Sequence, residues 1–279
     1  MFKGMFLRNV VVFIAIAGLI CGSGLYKTSA ADNGSPSLPA GNDANSDLPK
    51  EITTSTGIEI VLIPAGEFTV SYKVNRETKS RQVIITKPFY LGKYPVTQRQ
   101  WKEIFGSNPS KYTDSLDNPV ENVSWDDAQK FIRLINKKES TDKYRLPTSA
   151  EWEYASAGML TGSFWGKDLS QIEKHGWFKR NSVGKTHPVG MKLPNKWNLY
   201  DMLGNVYEWV QDTFDSSMGV DEYDDAPIIV DPVLLPANPY HILRGGAWNS
   251  ETISYPLIAP PGAVPSDGDI GIRLALSVD

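Results

Sequence analysis

The sequence predicts an α+β fold that is loop-rich, with short antiparallel strands and a few short helices. Three observations point there. Only a few segments combine a helix cap with apolar residues at helical spacing. Short apolar runs bounded by Gly, Pro, Asn and Asp fill much of the rest, as strands joined by turns do. No Gly-rich phosphate loop and no regular strand–helix alternation occurs, which argues against a doubly wound parallel sheet.

Residues 1–31 read as a secretory leader. Lys3 and Arg8 make a positive start, Val10 to Ile20 is an apolar run short for a bilayer span, and Thr28-Ser29-Ala30-Ala31 offers small residues for cleavage. Cys21 is the chain's only cysteine. It follows the apolar run, where a lipoprotein would carry its anchor, although Leu19 and Ile20 are bulkier than such a site prefers. Cleavage after Ala30 or Ala31 and lipidation at Cys21 both stay open. Either way an exported protein is expected: periplasmic, secreted or at the cell surface. Residues 32–54, rich in Ser, Asn, Gly, Pro and Asp at their start, read as a flexible linker. Residues 55–279 read as one domain, long enough for a sizeable core.

Within that domain, Ile58–Pro64, Glu67–Tyr72, Gln82–Thr86 and Phe89–Leu91 read as strands. Thr97 caps a helix carrying Trp101, Ile104 and Phe105 and closed by Gly106. Ser124 caps a second, with Trp125, Ala128, Phe131, Ile132 and Ile135 on one face and Asp126 and Asp127 in its first turn. Thr148 with Glu151 makes a capping box for a third. Asp212–Asp231 reads as an acidic surface excursion. His241–Leu243, Gly245–Trp248 and Gly271–Leu276 read as the closing strands.

The formal net charge is −4 with both signs mixed, so no basic nucleic-acid footprint exists. The three histidines, His175, His187 and His241, have no metal-ligand spacing and are expected to pack or bond to loops. Asn198–Trp209 carries a Gly-Asn turn between Asp201 and Glu208. Two carboxylates and the turn carbonyls make an oxygen cage of the kind calcium prefers, or the acids cap and pair locally.

The wording of that stretch, NLYDMLGNVYEW, resembles the signature of the sulfatase-modifying-factor family, which includes the formylglycine-generating enzyme. The resemblance continues in order through Phe89–Thr97, Asn118-Pro119-Val120, Val123-Ser124-Trp125, Arg145–Thr148, Glu151–Ala155, Arg244–Trp248 and Gly271–Ala275. It implies a C-type-lectin-like fold and a calcium ion held by the side chains of Asp201 and Glu208 and the carbonyls of Gly204 and Val206. The family's other calcium loop has no counterpart between Trp177 and Pro188. The enzyme's two copper-binding cysteines fall at Ser250 and Tyr255. A soft copper site needs sulfur, so no copper is expected and cysteine oxidation is not available here.

The segment Thr252–Asp269 is unusual in that its run Ile253–Pro265 is uncharged and Pro-rich. A subset of the fold diversifies this segment by retroelement mutagenesis to make variable ligand-binding proteins. The resemblance therefore implies a ligand surface from Trp248, Asn249, Ser250, Tyr255, Leu257, Ile258 and Asp269, taking a protein or small molecule. A monomer is expected, with no nucleic-acid partner and membrane contact only through Cys21. Two alternatives stand beside it. One is a cysteine-free oxidoreductase, as in maturation of the siderophore pyoverdine, with Glu251 as its acid or base in a closed pocket. The other is a structural or accessory subunit.

Overall fold

A computed structural model describes residues 48–74, 77–157, 169–214, 228–233, 240–251, 257–259 and 267–278. The elements run β1 (Glu51–Thr53), β2 (Glu59–Ile63), β3 (Gly66–Val74), β4 (Glu77–Ile85), β5 (Phe89–Gly92), α1 (Gln98–Phe105), α2 (Trp125–Glu139), β6 (Tyr144–Arg145), α3 (Ser149–Ala157) and α4 (Leu169–His175). They continue with β7 (Gly176–Trp177), β8 (Leu203–Gly204), β9 (Tyr207–Phe214), β10 (Ile228–Val230), β11 (Tyr240–Arg244), β12 (Leu257–Ala259), β13 (Ile270–Ile272) and β14 (Ala275–Ser277). The architecture is α+β with several short sheets, as expected.

The three expected helices form with their caps. Thr97 and Ser124 each make a reciprocal capping box, and Gly106 closes α1 in the left-handed region. Thr148 Oγ1 accepts from the Glu151 N–H at 3.1 Å, and the Glu151 carboxylate accepts from the Thr148 N–H at 2.8 Å. The apolar faces of α1 and α2 meet through Trp101, which stacks on Phe131 with ring centroids 4.9 Å apart. Trp101 is fully buried, so truncating it to Ala should cost roughly 3–5 kcal/mol.

One sheet has the order β1-β2-β5-β14-β6 and another β12-β11-β9-β13. A third, β10-β4-β3, and the pair β7-β8 complete the described sheets. The first two face a shared core that includes Ile60, Tyr90, Phe131, Trp209, Leu243 and Ile272. β9 runs parallel to β13 and antiparallel to β11, which places Glu208 opposite Gly271 on one side and Arg244 on the other.

Four expectations need correction. The segment assigned to a linker through residue 54 ends in ordered structure, because β1 pairs with β2 and Glu51 lies opposite Val61. Gly245–Trp248 is a turn rather than a strand, since Gly245 and Gly246 adopt φ of 99° and 86°, which a strand cannot hold. Gly271–Leu276 is broken at Arg273, and its two halves, β13 and β14, belong to different sheets. The acidic excursion begins inside the fold: Asp212 is buried and accepts from the Ser149 N–H at the start of α3, at 2.6 Å. The leader, most of the linker and the middle of the excursion lie outside the described residues. Among those residues no helix is long and apolar enough to cross a membrane.

Candidate functional site

The Gly204-Asn205 turn links β8 to β9. Both residues have positive φ, 72° and 63°, where glycine and asparagine are the least strained. A Cβ on Gly204 would sit 2.2 Å from the Trp177 carbonyl oxygen, so only glycine fits. The Asn205 side chain clamps the backbone of His187 from both sides: it accepts from the His187 N–H and donates to the His187 carbonyl, each at 3.0 Å.

The two acids flanking this turn have separate partners. Glu208 and Arg273 are both essentially inaccessible to water. Arg273 Nε lies 3.1 and 3.0 Å from the two Glu208 oxygens, Nη2 donates to Oε1 at 2.8 Å, and Trp152 Nε1 donates to Oε2 at 2.7 Å. Those four contacts occupy the roughly four lone-pair sites a carboxylate offers. The remaining Arg273 donors reach the carbonyls of Gly92 and Tyr200 at 2.7 and 2.8 Å. Asp201 instead accepts from the Gly190 N–H at 2.7 Å and from Asn205 Nδ2 at 3.4 Å. Burial pushes the Asp201 carboxyl up to about 6, against the Gly190 bond and the Arg273 charge, which favour ionisation.

This arrangement bears on calcium. Of the four expected ligands, Asp201 and the carbonyls of Gly204 and Val206 carry no guanidinium partner, whereas Glu208 does. Glu208 has no lone pair left over while Arg273 and Trp152 hold it. The four residues therefore do not fit a ready calcium cage, and an ion here would have to displace or share the guanidinium. Among the described residues no three His, Cys, Asp or Glu side chains converge as a metal cluster.

The Gly245-Gly246 turn carries the chain into the proposed ligand surface. Trp248 and Asn249 are half-buried. Trp248 Nε1 donates to the Gly268 carbonyl at 2.7 Å, and its ring meets the Tyr112 ring edge-on at 5.3 Å. Asn249 Nδ2 donates to Asp269 Oδ2 at 2.9 Å. The structure thus joins Trp248 and Asn249 to the Gly268-Asp269 corner. It does not offer Ser250 or Asp269 to a ligand directly. Ser250 is buried; its hydroxyl accepts from the Ala247 N–H at 3.0 Å and bonds the Tyr207 hydroxyl at 2.8 Å. Asp269 is 4 % exposed. Tyr255 lies outside the described residues. Leu257 and Ile258 form β12 opposite Leu243 and Ile242, but their side chains lie outside the described set.

Glu251 is exposed and ion-pairs with Lys179, also exposed. It stands on open surface, not in the closed pocket an acid–base role would require. The histidines pack as expected: His187 stacks on Trp177 at 3.8 Å, His241 stacks on Trp125 at 4.2 Å, and His175 Nδ1 lies 3.0 Å from the Leu193 carbonyl. Sequence reasoning missed Arg273 and Trp152 as partners of Glu208, Tyr207 as the partner of Ser250, and Glu121, a fully buried acid. Only the burial implied by an acid between Val120 and Val123 hinted at the last.

With the fold and site in view, comparison places the chain in a family. It belongs to the sulfatase-modifying factor family: the model of the sulfatase-modifying factor enzyme 1-like domain matches residues 45–278. It is 30% identical over 281 residues to the chaperone protein LppX of Paenibacillus barcinonensis, covering 80% of this chain and 91% of that one. It is 32% identical over 197 residues to the formylglycine-generating enzyme of Streptomyces coelicolor, covering 64% of this chain but 59% of the enzyme. Among solved structures, Treponema denticola variable protein 1 superposes with a TM-score of 0.70 at 25% identity, covering 82% of this chain and 99% of that one. PvdO from Pseudomonas aeruginosa superposes at 0.65 with 27% identity, covering 82% and 98%.

Proposed function

We propose that this chain is an exported, non-catalytic ligand-binding protein on the sulfatase-modifying-factor scaffold. Its ligand face is built on Trp248 and Asn249 and continues through the segment that includes Tyr255, Leu257 and Ile258. The bonding of Ser250 carries the reading. Where the resemblance places a copper-binding cysteine, this chain has a hydroxyl that holds a turn shut between Ala247 and Tyr207. A buried hydroxyl committed to two partners is a poor nucleophile and no copper ligand. The similarity to a variable protein across 99% of its length supports a binding role on this scaffold. The similarity to a chaperone across 91% of its length favours a protein as the ligand.

The test is site-specific cross-linking. A photoreactive amino acid placed at Asn249 or Glu251 in the native host should trap a discrete partner, while the same group at Lys138 on α2 should not. Equal trapping at all three positions would defeat the proposal. A near-copy of the Arg244–Arg273 coding segment, differing at adenines and beside a reverse-transcriptase gene, would establish diversification. Its absence would leave an invariant binder.

A further inference from the structure

Eight buried side-chain nitrogen or oxygen atoms among the described residues have no hydrogen-bond partner. Five are nitrogens scattered over the fold. The three oxygens are Asn118 Oδ1, Glu121 Oε2 and Asp269 Oδ1, on residues gathered around Tyr112 and Gly268. Buried acceptors without donors are costly, and the two on carboxylates ask for a shared positive partner.

Tyr112 is the hub of this corner. Its N–H donates to Glu121 Oε1 at 2.7 Å, and the Lys111 N–H adds to the same carboxylate. Its carbonyl accepts from Asn118 Nδ2 at 3.4 Å, and Asp114 Oδ1 accepts from the same amide at 3.0 Å. With Thr186 Oγ1 at 3.5 Å, these acceptors take the amide donors of Asn118 and leave its oxygen without a partner. Gly268 packs against the Tyr112 ring at φ +76°; a Cβ there would stand 2.8 Å from the ring and 3.1 Å from Glu121 Oε2. The unpartnered Glu121 oxygen therefore faces the residue immediately before Asp269. Glu121 and Asp269 are 0% and 4% exposed. Burial raises both carboxyls, and the Asp269 charge raises Glu121 further. Lys111 is the cation whose field reaches both, yet its ammonium bonds the Asp267 carbonyl at 3.4 Å and lies over the Tyr112 ring.

We propose that the buried pair Glu121 and Asp269 binds a hard divalent cation, calcium in class, through Glu121 Oε2 and Asp269 Oδ1. Two carboxylates balance its charge, and water or backbone carbonyls complete the oxygen shell. The site is distinct from Asp201 and Glu208. It also bears on the ligand face: Trp248 Nε1 bonds the Gly268 carbonyl and Asn249 bonds the other Asp269 oxygen, so the ion would fix both side chains from beneath.

Terbium, a luminescent stand-in for calcium, tests this on the purified protein. Trp248 and Tyr112 stand beside the site and should sensitise its emission. Saturable one-to-one emission, displaced by calcium, is expected. Glu121→Gln and Asp269→Asn should each weaken it by about tenfold or more, as loss of one charged ligand does. Asp201→Asn should leave it intact. If Glu121→Gln or Asp269→Asn fails to fold by circular dichroism, Trp248→Phe decides: it should cut the indole-sensitised emission while the calcium midpoint holds. Absence of saturable emission would overturn the proposal, as would emission unchanged in the Glu121 and Asp269 variants, emission lost only in Asp201→Asn, or emission indifferent to Trp248→Phe. A protein stabilised by Glu121→Gln and indifferent to calcium would point instead to a carboxyl pair sharing a proton.

Discussion

Arg273 and Glu208, 65 residues apart in the chain, meet as a doubly hydrogen-bonded ion pair with both side chains out of water. β9 carries the acid, and the break between β13 and β14 carries the guanidinium. The pair ties the central sheet to the C-terminal strands. Removing one partner strands the other charge in the interior. Arg273→Met should therefore destabilise by roughly 3–5 kcal/mol, measured by urea unfolding. Arg273→Met with Glu208→Leu should recover part of that loss, because no buried charge remains.

Ser250 and Tyr207 act as one unit. Ser250→Ala strands the Ala247 N–H in a buried turn, takes one partner from the Tyr207 hydroxyl, and should cost about 1–3 kcal/mol. Tyr207→Phe takes the hydroxyl partner from Ser250 but leaves the Ser250–Ala247 contact, and should cost less. A double-mutant cycle should show coupling of at least about 0.5 kcal/mol; additivity would mean that the hydroxyls do not meet.

Gly204→Ala tests the turn at the centre of the family signature. The new methyl collides with the Trp177 carbonyl and must adopt a left-handed backbone. A loss of at least about 2 kcal/mol is expected in thermal or urea unfolding. Gly57→Ala is the control: φ there is also positive, at 74°, but no atom stands within 4 Å of the new methyl, so its cost should be about 1 kcal/mol.

Glu139 gives the fold an acid-sensitive clasp. Burial raises its carboxyl, but hydrogen bonds from the Tyr144 hydroxyl at 2.6 Å and from the Ser55 backbone and hydroxyl at 2.8 Å outweigh this and hold it below the usual range. A lowered folded-state value contributes stability that is present above the unfolded carboxylate range and is lost as pH falls through the folded value. Glu139→Gln should therefore flatten part of the acid limb of a stability–pH curve while leaving its shape near neutral pH unchanged; the alkaline limb should change as well, because burial together with Glu139 holds the Tyr144 hydroxyl above its ordinary value.

Much of the scaffold was legible because its signals are local. Each cap at Thr97, Ser124 and Thr148 sits within three residues of its partner, and α2 shows its buried face in the spacing of Ala128, Phe131, Ile132 and Ile135. The ordered motif blocks gave the family. The site was less legible because its bonds are long-range. Nothing near Glu208 announces Arg273, and nothing near Ser250 announces Tyr207. The turn at Gly245-Gly246 was read as strand because its apolar flanks suit one, whereas the two left-handed glycines decide the backbone. Asp269 falls in the expected ligand surface because it ends the segment that the resemblance marks as variable; its burial depends on Glu121, Tyr112 and Trp248 packing around Gly268.

The central claim is that this scaffold binds without oxidising thiols. The direct measurement is mass spectrometry of a cysteine-containing sulfatase-type peptide after incubation with the purified protein, copper and oxygen. The cysteine should be recovered intact at every time point, with no turnover beyond the protein-free control. Catalytic conversion of that cysteine to formylglycine would contradict the account.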